Sequence, residues 1–158
     1  MKANDVILNF RNQIFDHSEF TVANIFFFGD KGKTESDIIA VTKTGYLVEY
    51  EVKTSRADFL ADRRKTKWQF YKFNYNKAPK YFYYILPKGT AKPEELPDFA
   101  GLIEYQTFQD KITFVTEKKP VQLNRLKATE EEKYTLLKKI YYKSLGDVFN
   151  PEYHKILV

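Results

Sequence analysis

The chain contains no cysteine, and that one absence removes a disulfide framework, a thiolate zinc site and a cysteine nucleophile together. Histidine is nearly as scarce. His17 and His154 are remote from each other, neither has a metal-ligand pattern around it, and both read as non-catalytic. No run of ~18 apolar residues exists, so no membrane-spanning helix is expected. The opening MKANDVILNF lacks the apolar core of ~7–15 residues and the small-residue cleavage site of a secretory signal, so a cytoplasmic protein is expected. A glycine-rich phosphate loop and a dinucleotide fingerprint are also missing, which leaves nucleotide-dependent transferases and oxidoreductases without support.

What is present suits a folded domain. The 158 residues are 43% hydrophobic and 17% aromatic, the opposite of a disordered composition. That length predicts a single domain over residues 1–158. The formal charge of +5 is compatible with a nucleic-acid partner without requiring one.

Apolar residues at helical spacing (Val6, Ile7, Phe10, Ile14) predict a helix over residues 4–15. VANIFFF (22–28) predicts a strand, and SDIIAVT (36–42) a strand covered on both faces. KTG (43–45) reads as a hairpin turn with glycine supplying positive φ, leading into a strand over 46–53. Ser55 and Asp58 form an S-x-x-D capping pattern for a helix reaching about residue 73, with Ala57, Leu60, Arg64, Trp68 and Tyr71 as its stripe. YFYYIL (81–86), GLIEYQ (101–106) and KITFVT (111–116) follow as strands, then a helix over 129–145 opened by T-E-E-E. A β-meander plus a crossover helix implies an α/β fold: a mixed β-sheet flanked by helices, with an αβββαβ core and C-terminal strands and helix.

The stretch LVEYEVKTSRADF (47–59) raises the functional question. Glu49, Glu51 and Lys53 alternate, so they share one face of a strand, opposite Val48, Tyr50 and Val52. Either that face is wet, or it holds a metal ion and a reaction. Counting outward from the turn at Thr44 pairs position 37 with about position 51, so Asp37 joins Glu51 and Lys53 at one end of the hairpin. Two carboxylates in contact repel, and a divalent cation relieves that repulsion. Mg²⁺ favours one or two carboxylates plus waters and phosphate oxygens. A lysine beside it can position or deprotonate a water, or stabilise charge on a phosphate. Glu49 has a plainer reading as a salt-bridge partner.

D-x(13)-E-x-K across a hairpin, followed by a helix, resembles the PD-(D/E)xK nuclease superfamily, whose restriction-endonuclease-like core has the order read above. EVKTSRADFLADRRKTKWQFYKFN followed by YFYYILPKG is most similar to its MmcB-like DNA repair nuclease branch, over roughly residues 19–105. The resemblance implies a Mg²⁺- (or Mn²⁺-) dependent deoxyribonuclease acting in repair, recombination or mobile-element processing. It implies that Asp37 and Glu51 bind the metal, with the Val52 carbonyl as a third ligand and Lys53 as the catalytic lysine. Ser36 stands where the pattern has proline, and the first helix has no interior glutamate. Glu19, Glu35 and Glu49 are therefore the candidates for an extra acidic ligand. Gln69 followed by Phe73 matches a Q-x-x-x-Y variant only in part.

Residues 53–80 hold nine basic and two acidic side chains, a surplus of seven against five for the whole chain. Arg56, Arg63, Arg64, Lys65, Lys67 and Gln69 are the expected DNA contacts, with a solvated helix face as the plain alternative. Trp68, Tyr71 and Phe73 read as core before they read as base-stacking platforms. DNA is the expected partner, with no membrane and a homodimer as a further expectation located after Gly101. The alternative function is a non-catalytic nucleic-acid-binding module on the nuclease fold.

Overall fold

A computed structural model describes residues 1–29, 32, 34–62, 68, 69, 71 and 78–149. The elements run α1 (Ala3–Ile14), β1 (Ser18–Phe28), β2 (Thr34–Thr42), β3 (Leu47–Val52), α2 (Arg56–Asp62), β4 (Tyr81–Pro87), β5 (Gly101–Phe108), β6 (Lys111–Lys118) and α3 (Glu130–Phe149). The six strands form one mixed sheet in sequence order. β1, β2 and β3 pair antiparallel, β3, β4 and β5 parallel, and β5 and β6 antiparallel. The α/β class and the mixed sheet with helices are as the sequence predicts.

Connection length sets these directions. The turn over residues 43–45 is too short for anything but an antiparallel return, whereas the long segment carrying α2 permits the parallel crossover to β4. Gly45 sits at φ +88°, and its N–H donates to the Thr42 carbonyl at 2.8 Å. A Cβ there would meet nothing closer than 3.7 Å, so the cost of a side chain is conformational rather than steric. Gly45→Ala is expected to lower stability by about 1–2 kcal/mol, read as a shifted urea midpoint with an unchanged slope.

The chain divides into two compact units, Met1–Lys127 and a second beginning at Ala128. The first contains the whole sheet. On one of its faces Val6, Ile7 and Phe10 of α1 pack against Ile38, Val52, Ile85, Ile103 and Tyr105. On the other, Phe59, Phe82 and Tyr84 meet edge to face, with centroids 5.0–5.5 Å apart. Each such side chain contributes about 1.5–3 kcal/mol of burial. β2 is covered on both faces, and Ile38, Ile39, Ala40 and Val41 are all buried. In the second unit, Thr129 and Glu132 exchange the two bonds of a capping box at the start of α3.

Two differences from the sequence reading have physical causes. β1 starts at Ser18 rather than Val22, because the polar SEFT segment still alternates and finds a partner in the end of β2. The buried face of α2 carries Phe59 and Asp62, whereas Leu60 is 37% exposed. The expected stripe through Ala57 and Leu60 is therefore out of phase by about a third of a turn, and the carboxylate of Asp62 hid the true apolar side. Among the described residues, no helix is long and apolar enough to cross a membrane.

Candidate active site

The β2–β3 register sets Ile38 opposite Tyr50 and Ile39 opposite Glu49, and one step further sets Asp37 opposite Glu51. Strand alternation turns Glu49 and Glu51 to the same face. On β4, Tyr84 stands beside Glu51. Lys53 follows directly after β3, where its N–H still donates to the Ile85 carbonyl at 3.0 Å. The next ladder donor would be residue 87, a proline without an N–H, so the pairing stops and the chain leaves for α2. That helix begins three residues later, with the Asp58 N–H capped by Ser55 Oγ at 3.2 Å. Its inner face then lays Asp62 over the charged end of β3.

The charges so gathered are not wet. Glu49, Glu51, Lys53 and Asp62 are all buried, at 0%, 3%, 7% and 1% exposure. Lys53 Nζ donates to Glu51 Oε1 at 2.7 Å and lies 3.3 Å from Asp62 Oδ1. The Tyr84 hydroxyl donates to Asp62 Oδ2. Asp37 Oδ2 accepts the Val52 N–H at 2.8 Å. Burial alone pulls the Lys53 ammonium towards neutrality. The Glu51 carboxylate, with help from Asp62 and Asp37, outweighs that pull and holds its pKa above the ordinary lysine range. Burial first, then Asp62, pushes the Tyr84 hydroxyl far above the usual tyrosine range, so it serves as a donor.

Glu49 plays another part. Its Oε1 accepts the Ser36 hydroxyl at 2.8 Å and its Oε2 accepts the Tyr71 hydroxyl. Burial and the neighbouring Glu49 carboxylate raise the Tyr71 pKa well above its ordinary value. Glu49 thus ties β3 to β2 and to the segment after α2. Tyr71 is fully buried, in keeping with its reading as core, and Trp68 packs edge-on against Tyr84 at 5.6 Å.

The other expected ligands and contacts are placed as follows. Glu19 lies beside Ser18, which pairs with Thr42 at the far end of β2, some five residues or about 16 Å along the strand from Asp37. The structure does not bring it to the site. Glu35 is exposed, opposite Phe26 and two residues before Asp37. Arg56 is taken up by the loop before β5: it donates to Glu95 at 2.6 and 3.2 Å and to the Thr90 carbonyl at 2.8 Å. The hydrogen bond to Glu95 raises its pKa further. Gln69 is exposed on a groove shared with Trp68, Pro97 and Phe99. Arg63, Arg64, Lys65, Lys67, Phe73 and His154 lie outside the described residues. His17 is exposed in a short 3-10 turn after α1.

Asp62 and Tyr84 escaped the sequence reading. The signal for Asp62 was local: an acid three residues after Phe59 shares its helix face, and an acid on an apolar face needs a buried partner. The tyrosine hydroxyl gave no such signal within the run YFYYIL.

Among the described residues, no cluster of three or more histidine, cysteine, aspartate or glutamate side chains has the geometry to hold a metal. Asp37 and Glu51 supply two carboxylates. In a strand, the N–H and C=O of one residue point to the same edge. The bond from the Val52 N–H to Asp37 therefore turns the Val52 carbonyl towards Asp37 as well. Two carboxylates and a carbonyl, completed by waters, suit Mg²⁺ or Mn²⁺. Asp37, Glu51, Asp62 and Lys53 together carry a formal charge of −2, which one divalent cation balances.

No protein-family model matches this chain, and no curated protein does. Among solved structures, the chain is similar to the SPO1766 protein of unknown function from Silicibacter pomeroyi. The two share 18% identity over 96% of this chain and 94% of that one, with a TM-score of 0.64, a likeness of fold.

Proposed function

We propose that this chain is a Mg²⁺-dependent DNA nuclease of the restriction-endonuclease-like PD-(D/E)xK type, working on cytoplasmic DNA in repair, recombination or mobile-element processing. The observation that carries the reading is the convergence of half-buried Asp37 with buried Glu51 and Lys53 at the open end of the β2–β3 hairpin. The αβββαβ order, with β3 and β4 parallel, supports it, because that is the core order of the nuclease superfamily.

In this reading Asp37, Glu51 and the Val52 carbonyl hold the cation. When bound, the cation would lower the pKa of a water and neutralise charge on the scissile phosphate. Lys53 presents its ammonium to the same place, where it orients the attacking water and stabilises the extra negative charge on the phosphoryl oxygens. The water oxygen would bond to phosphorus as it gives up a proton to solvent, and the bond to one deoxyribose oxygen would break, that oxygen leaving as a hydroxyl with a proton taken from solvent. The basic run over residues 63–67 attracts the DNA backbone, with affinity that falls as salt rises.

The test is incubation with single-stranded, double-stranded and branched DNA, with Mg²⁺, Mn²⁺ or EDTA. Metal-dependent cleavage of at least one substrate is expected. Salt-sensitive binding with no cleavage under any metal would instead support a DNA-binding module on the nuclease fold. One observation favours that second reading: the 2.7 Å contact with Lys53 already occupies one of the two oxygens of Glu51. Sedimentation in the same buffers tests for a homodimer that sets two sites on opposite strands.

A further inference from the structure

The occupied Glu51 oxygen is itself informative. Lys53 Nζ sits between two carboxylates from different elements, Glu51 of β3 at 2.7 Å and Asp62 of α2 at 3.3 Å. They differ in place. Glu51 stands beside Asp37 across the hairpin, where a cation would sit. Asp62 is 1% exposed, and its second oxygen is fixed by the Tyr84 hydroxyl from β4. A divalent cation arriving at Asp37 and Glu51 repels an ammonium held on the same carboxylate. The ammonium cannot simply be abandoned in a buried pocket, because an unpaired buried charge costs several kcal/mol. It needs a second anion within reach, already aimed, and not itself a ligand.

We infer that Asp62, aimed by the Tyr84 hydroxyl, is a positioning residue that takes over the Lys53 ammonium when a divalent cation engages Glu51. The inference rests on the proposed metal site and extends it, since nothing in the D-x(13)-E-x-K pattern assigns a role to Asp62 or Tyr84. By accepting the ammonium, Asp62 frees the Glu51 oxygen for the cation. It also keeps Lys53 close to the place where the phosphate arrives. Asp62 acts through Lys53 and touches neither cation nor DNA.

The experiment is a calorimetric titration of Mn²⁺ into the full chain, which needs no turnover. It compares wild type, Asp62→Asn, Lys53→Met and the double variant. Asp62→Asn keeps the shape and can still accept from Tyr84, but loses the charge that attracts Lys53. Mn²⁺ binding is expected to weaken about tenfold, the usual scale for losing a residue behind a metal ligand. In the Lys53→Met background the same change should alter Kd by no more than about twofold, because the ammonium that needed a second home is gone. Tyr84→Phe should weaken binding in the same direction by less, and it serves as the independent probe if Asp62→Asn does not fold.

An unchanged Kd for folded Asp62→Asn would overturn the inference. So would an equal loss with and without Lys53, since Asp62 would then act on the site directly. If wild type itself binds no Mn²⁺, the metal reading fails and this inference falls with it. That outcome is recognised on the wild type alone, before any variant is compared.

Discussion

Lys53→Met is expected to reduce metal-dependent DNA cleavage by about a hundred- to a thousandfold, the scale for removing a donor aimed at developing charge. DNA binding should change little, since Lys53 is buried and the basic surplus lies elsewhere in residues 53–80. The same substitution has a second signature. It leaves Glu51 and Asp62 buried without their shared cation. Removing one partner of a buried ion pair costs about 3 kcal/mol here, the low end of the usual range because the ammonium retains some contact with solvent. The pH dependence follows from the direction of the lysine shift. Its folded pKa is raised, so its contribution is complete below the ordinary lysine value of about 10.4 and fades only as pH climbs through the folded value. The stability gap between wild type and Lys53→Met should therefore stay constant from neutral pH to about 10 and narrow above it. Denaturation midpoints across that range check the shape of the curve. A gap that closed near neutrality would mean that Lys53 is not paired as described.

Glu49→Ala is expected to be the most destabilising single change near the site without being a catalytic one. The side chain is fully buried and satisfies the hydroxyls of both Ser36 and Tyr71. Truncation leaves two buried donors without their acceptor, at about 1–3 kcal/mol each, and opens a cavity as well. A loss of about 4 kcal/mol is expected in chemical denaturation. Glu49→Gln, which keeps a carbonyl oxygen for one donor, should lose less than half as much. A wet strand-face glutamate would change stability by no more than about 0.5 kcal/mol, so the assay separates the two descriptions of this face. At a temperature where the variant is folded, cleavage should stay within a few-fold of wild type, because Glu49 is committed to Ser36 and Tyr71.

The contrast between Glu51, which meets Lys53, and Glu49, which meets Ser36 and Tyr71, marks the limit of what a sequence alone encodes. Alternation and a tight turn are local rules, and they suffice to set Asp37 against Glu51 and to put Lys53 beside them. The same rules cannot say whether a charged strand face meets water or another layer of protein. Here α2 and Tyr71 lie over it, so Glu49 is a buried anchor instead of a salt-bridge partner. Arg56 shows the reverse failure. Its position in a basic segment suggested phosphate, but Glu95, distant in sequence, claims it. Glu19 was a candidate ligand because the first helix has no interior glutamate, and the pairing of Ser18 with Thr42 sends it to the wrong end of the sheet. Asp62 was missed because the helix stripe was traced through Ala57, Leu60 and Arg64, whereas the inward face of α2 carries Phe59 and an acid. For Glu49, Arg56 and Glu19 the missing information was a contact between elements far apart in the chain, which neither periodicity nor spacing encodes.

The measurement that bears most directly on the central claim is nicking of supercoiled plasmid by wild type and Asp37→Asn, purified in parallel, with Mn²⁺ and with EDTA. The expected result is cutting by wild type that EDTA abolishes and that Asp37→Asn lacks, with both proteins equally folded and equally bound to DNA. Equal cutting by the two proteins, or no cutting by a wild type that binds the plasmid, would contradict it.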